Sequence, residues 1–134
     1  MLLTFASRVA APARDRITQM LSRLTYPLGL TEWAFVVHLK RFPDEREAEI
    51  TVEPAGHSAR LYLSRTLLTD DRSLHRAIVH ELTHVLTWGA WLALADLAAH
   101  VPADQRRACR TAAERAYEQA NDVVALVLTK LVVA

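Results

Sequence analysis

Five consecutive residues, His80-Glu81-Leu82-Thr83-His84, have the types and spacing that metal-assisted hydrolysis needs. Histidines four positions apart project from the same side of a helix, so both imidazoles can close on one ion. Neutral imidazole nitrogens bind Zn2+ firmly and leave it cationic enough to acidify a bound water, while the carboxylate of Glu81 is suited to accept that water's proton. The same pentapeptide has a plainer reading as a core helix that happens to hold these residues. Against that reading, a charged Glu81 between two histidines is poor material for a closed core.

A catalytic zinc usually takes three protein ligands and keeps one position open, so a third ligand is expected elsewhere. The richest supply is the late segment Glu114-Arg-Ala-Tyr-Glu118-Gln-Ala-Asn-Asp122. Glu118 is the preferred ligand. It stands where the helix turns apolar on its expected inward side, with Ala120, Val123, Val124 and Val127 following. Asp122, one turn on, is expected to accept a hydrogen bond from the free nitrogen of a ligating histidine and so fix its orientation. Glu114, Asp96, His100 and Asp122 itself stay open as alternatives for the third position. The pattern HExxHxxGxxH is absent, because Thr87 and Ala90 occupy its glycine and second-turn histidine positions.

These residues need elements to hold them. Asp70, Asp71 and Ser73 offer N-cap side chains, after which Leu74, Ala77, Ile78, Leu82, Val85 and Leu86 recur at helical spacing until Gly89. The expectation is a helix of about four turns with its apolar stripe offset from the His80/His84 face. Upstream, residues 14–25 read as an amphipathic helix whose arginines form a solvated face. Trp33 to Lys40, Glu47 to Glu53 and Arg60 to Ser64 read as strands of an antiparallel meander. Glu47, Glu49, Thr51 and Glu53 give the middle strand an acidic outer face. If that strand lies at the sheet edge, it would favour basic or neutral peptides, or merely guard the edge against aggregation. Downstream, Trp91 to His100 reads as a second helix stopped by Pro102. A final helix begins near Ala103 or Asp104.

The 134 residues are expected to form one domain that buries roughly two-thirds of the surface exposed by the unfolded chain. Apolar residues make up 51%, enough for a packed core, and Gly and Pro are few. Sixteen Lys plus Arg against fifteen Asp plus Glu give no overall attraction to nucleic acid or an anionic membrane. Cys109 is the only cysteine, so no intrachain disulfide can form, and a cytoplasmic location is expected. The amino terminus lacks the pattern of a signal peptide. The apolar stretch Val123 to Ala134 is too short to span a bilayer and reads as a core helix or, alternatively, an oligomer interface.

On the HExxH helix, the strand Arg60–Ser64 and the Glu118/Asp122 pair, the chain resembles the gluzincins, metallopeptidases whose third zinc ligand is a glutamate on a later helix. The Glu-x-x-x-Asp spacing looks like that of thermolysin-type members. Leu-x-x-Ala-Ile-Val-His-Glu-Leu-Thr-His-Val-Leu and Tyr-Glu-Gln-Ala-Asn are more similar to the compact ImmA/IrrE-type metallopeptidases. The interval of 33 residues between His84 and Glu118 is long for that group. The resemblance implies an α+β minimal zincin fold: an amino-terminal helix, a small, mostly antiparallel three-stranded sheet, the metal helix and a carboxyl-terminal helical pair. It also implies a zinc-dependent peptidase acting on a peptide or protein substrate. Tyr117, His57, Tyr62, His100 and Arg115 are candidate donors to a developing oxyanion. A non-catalytic zinc-stabilised module and a metal-free helical interaction protein are the competing readings.

Overall fold

Alternating enclosure of side chains decides which strands are central. In the computed structural model, which describes residues 1–133, β2 (Ala34–Leu39) buries Phe35 and Val37, and β4 (Ser58–Leu63) buries Ala59, Leu61 and Leu63. The two run parallel, with Phe35 opposite Ala59 and Val37 opposite Leu61. β1 (Leu2–Phe5) adds in parallel beside β2, and β3 (Ala48–Glu53) adds antiparallel beside β4, giving the order β1-β2-β4-β3.

The fold is therefore α+β, as expected, but its sheet is four-stranded and mixed rather than three-stranded and mostly antiparallel. Two causes account for the difference. β1 is only four residues long and leaves Leu2 exposed, so it has little of the alternation that announces a strand. The apolar β4 takes the interior place next to β2, which leaves the acidic β3 at the edge, where charge is tolerated and discourages unwanted pairing.

Three helices complete the chain. α1 (Ala11–Thr25) buries Ile17, Leu21 and Leu24 in the same cluster as Phe35, Val37 and Leu61. Arg16 is not merely solvated: its guanidinium reaches Asp71 at 2.9 Å and donates to the Leu68 carbonyl at 2.7 Å, tying α1 to the start of the helix that carries His80 and His84. α2 (Asp71–Ala99) is capped by the Asp70 carboxylate, which accepts from the backbone N–H groups of Arg72 and Ser73. α3 (Arg106–Val133) returns antiparallel along it.

α2 does not stop at Gly89; it continues for 29 residues and absorbs the separate helix expected from Trp91 to His100. Glycine ends a helix by turning left-handed, and Gly89 does not take a positive φ. Its neighbours Trp88, Ala90, Leu92 and Ala93 supply no breaker, so the helix runs on to His100, just short of Pro102. By length and hydropathy alone α2 would pass as a membrane-crossing helix, a test that core helices also pass.

The carboxyl-terminal stretch is not a core helix among the described residues. Val123, Val124, Leu126 and Val127 are exposed, and the inward side of α3 is instead Tyr117, Asn121 and Ala125. Ala134 and the side chains of residues 131–133 lie outside what is described.

Candidate functional site

The site forms where α2, α3 and the edge strand β3 meet. On α2 the apolar stripe Leu74, Ile78, Leu82 and Val85 is buried, which turns His80 and His84 towards α3. Their Nε2 atoms stand 3.2 Å apart. Glu118 of α3 brings one carboxylate oxygen 3.8 Å from His80 Nε2 and the other 3.6 Å from His84 Nε2. One atom from each of the three side chains fits within a 4.8 Å cluster. Two nitrogens bound tetrahedrally at about 2.0–2.1 Å lie about 3.3 Å from each other, so the imidazole spacing suits a zinc ion.

The structure thus brings His80, His84 and Glu118 together. Glu118 arrives differently from expectation, since its side chain is 55% exposed and does not enter the core. It faces the imidazoles from the rim because Tyr117 and Asn121, on the adjoining face of α3, are the residues that go inside.

The outer nitrogens of the imidazoles also have partners. His80 Nδ1 lies 3.2 Å from Asp122 Oδ1, within reach of a hydrogen bond. His84 Nδ1 lies 3.3 Å from the side-chain amide of Asn121 and 3.5 Å from the Tyr117 hydroxyl. Thr87 joins both, at 2.8 Å from each, and its hydroxyl also lies 2.9 Å from the Thr83 carbonyl. A side chain anchored at its far nitrogen keeps its near nitrogen aimed at the ion.

Electrostatics follow from burial. His84 is pushed down to about 4 by burial, then by the neighbouring His80, so its imidazole is neutral at neutral pH, the form that coordinates cations. Glu81 is only 7% exposed. Burial raises its carboxyl to about 8, with the Glu118 and Glu49 charges adding to the shift; the Ile50 backbone N–H and Arg46 oppose it. A cation at the imidazoles would favour the ionised carboxylate. Glu118 is raised by burial and by Asp122, against a lowering by His80.

These groups line an open cleft of about 460 Å3. Arg46, Ala48, Glu49 and Ile50 form one wall, while Trp88, Trp91 and Tyr117 extend the opposite side past the imidazoles. Glu114 stands at the same cleft but pairs with Arg110 at 3.3 Å. Asp96 and His100 are elsewhere. His100 sits at the end of α2, bonded to the Asp96 carbonyl and about 24 Å along the helix from His84.

Among the oxyanion candidates only Tyr117 reaches the cleft, and its hydroxyl turns to Thr87 and the outer side of His84 rather than to the His80, His84 and Glu118 cluster. His57 stacks on Trp33 and Tyr62 on His38, away from the cleft lining. Arg115 and His100 are exposed and also outside it.

The sequence reading missed Asn121, Thr87, Trp88 and Trp91. A signal was present for three of them. Trp88 and Trp91 follow His84 at four and seven positions, on its own helix face, and Asn121 follows Tyr117 by one turn. The assumed stop at Gly89 hid the first pattern, and the assumed inward face of α3 hid the second. No protein-family model, curated protein or solved structure matches this chain.

Proposed function

We propose that this chain is a zinc-dependent metallopeptidase of minimal zincin-like type, with His80, His84 and Glu118 as ligands, Asp122 orienting His80, and Glu81 as general base. The observation that carries this reading is the convergence of three ligand side chains beside a buried carboxylate at the floor of an open cleft. A purely structural zinc would be expected to have four protein ligands and no use for Glu81, which favours catalysis over a zinc-stapled binding module.

Bound zinc would supply a water of lowered pKa and polarise the carbonyl under attack. Glu81 takes that water's proton and returns it to the departing amine. Anchored by Asp122 and Asn121, the imidazoles hold their positions while charge develops.

The edge strand supports a peptide as substrate. The Glu47 carbonyl accepts from the Ser64 N–H, so Glu47, Glu49 and Thr51 turn their main chains to β4. The Ala48 peptide group and the Ile50 carbonyl therefore face the cleft, where an extended peptide can pair as an added strand, while the Ile50 N–H serves Glu81. Glu49 is matched by Lys40 at 3.2 Å and Arg46 at 3.7 Å, so the edge carries less net acidity than its sequence suggests. Trp88 and Trp91 offer apolar surface to a side chain of that peptide.

Glu81→Gln tests the reading. It is expected to leave zinc content and folding intact while lowering peptide cleavage by a factor of about 100 or more. Cleavage at the unmodified rate in this variant, or protein purified without bound zinc that fails to take it up, would overturn it.

A further inference from the structure

The contacts behind His84 form a network whose protons can be counted. The Thr87 hydroxyl has one proton and three neighbours: the Thr83 carbonyl at 2.9 Å, the Tyr117 hydroxyl at 2.8 Å and the Asn121 amide at 2.8 Å. Asn121 is 1% exposed, so both ends of its amide must be satisfied inside the protein. Those ends have nearly the same shape, and the surrounding donors and acceptors decide which end faces which partner.

Two arrangements close the network. In the first, Thr87 donates to the Asn121 oxygen, and the Asn121 NH2 donates to a bare His84 Nδ1. The His84 proton then sits on Nε2, directed at His80 Nε2 3.2 Å away. In the second, Thr87 donates to the Thr83 carbonyl and accepts from both Tyr117 and the Asn121 NH2. The Asn121 oxygen then accepts from His84 Nδ1–H, which leaves the Nε2 lone pair free. Only the second is compatible with both imidazoles presenting Nε2 to one cation.

We propose that Asn121, steadied by Thr87 and Tyr117, is a positioning residue that sets the tautomer of His84, turning its amide oxygen to Nδ1–H when Nε2 is given to a divalent cation. This rests on the zinc reading above, but it concerns a residue outside the ligand set. His80 has a carboxylate, Asp122, as its outer partner, and an acceptor-only group holds one tautomer permanently. His84 has an amide instead, which can serve either form. The half of the site that lies deeper is thus the half that can change its hydrogen bonding without stranding a buried donor.

The test combines imidazole nitrogen NMR with zinc titration. In unmodified protein the His84 proton is expected on Nε2 without metal and on Nδ1 with zinc. Asn121→Asp, an acceptor only, should place it on Nδ1 in both states and keep zinc affinity within a few-fold. Asn121→Leu should weaken zinc binding roughly 10–100-fold. A His84 tautomer that is the same in the metal-free unmodified and Asn121→Asp proteins would overturn the proposal, and so would equal zinc affinity in the Asp and Leu variants. If Asn121→Leu does not fold, the NMR comparison of the other two proteins still decides. If no protein binds zinc, the peptidase reading fails, while the metal-free spectra still report whether residue 121 sets the tautomer.

Discussion

The two halves of α2 belong to one continuous helix but live in different surroundings. From Leu74 to Val85 the helix is pressed against the sheet and α1, with Leu74, Ile78, Val79, Leu82 and Val85 enclosed. From Leu86 to Ala99 the larger aliphatic residues Leu86, Leu92, Leu94 and Leu97 are exposed, and Ala98 is the one buried side chain. His80 and His84 sit at the end of the first half, and the tryptophans of the cleft begin the second. The imidazoles of the proposed metal site, which would have to hold an ion to fractions of an ångström, are placed on the packed part. Groups that only need to offer apolar surface are placed on the arm. The comparison teaches that helical continuity is not uniform stability: the first half should open only with the whole domain, the second by itself.

The largest expected effect is on the packed half. Leu82→Ala removes a wholly buried side chain between the two histidines and should cost about 2–5 kcal/mol in urea unfolding. A loss below about 1 kcal/mol would mean that this half is not held by the core. Zinc should come next. At a free concentration 100 times its Kd, zinc adds about 2.7 kcal/mol to global stability. Amide exchange between Leu74 and Val85 should then slow about 100-fold, while amides from Leu92 to Leu97 should exchange at their former rate. Equal slowing of both halves would merge them into one cooperative unit.

The difference between the halves also explains how far the sequence could be read. Histidines four apart, an acid between them and a candidate acid on a later helix are local patterns, and the structure brings His80, His84, Glu118 and Asp122 together. The apolar stripe of the packed half was equally plain, because burial on one face leaves a period that can be counted. The arm has no such period. Its leucines and alanines surround the helix, so Gly89 is the one mark in the sequence, and a glycine there suggests a stop that the structure does not make. The four-residue β1 and the parallel pairing of β2 with β4 depend on which strand takes the interior, a competition between distant segments that no local pattern records. The inward face of α3 departs from the expected one: the sequence points to Val123 and Val127 inside, whereas Tyr117, Asn121 and Ala125 are the buried residues, and Glu118 lies at the rim.

Gly89 gives a sharper test at the junction. A Cβ added there meets nothing within 4 Å, and the backbone lacks the positive φ that would penalise alanine. Gly89→Ala should therefore stabilise the protein by about 0.5–1 kcal/mol, through the lower entropy of the unfolded chain and better helix propensity. Destabilisation would mean that the helix breaks at this point in solution and that the arm is a separate element.

The smallest effect is expected at the far end. Leu97 is 67% exposed, and glutamine has nearly the helix propensity of leucine, so Leu97→Gln should change stability by less than about 0.5 kcal/mol. The informative measurement is the concentration dependence of Tm in both proteins. An isolated arm gives a Tm independent of concentration and unchanged by the substitution. A Tm that rises with concentration in the unmodified protein, and loses that dependence in Leu97→Gln, would show a second copy covering the arm. In that case the exposed leucines of α2 would belong to an interface, and the contrast between the halves would be one between two kinds of packing rather than between packing and its absence.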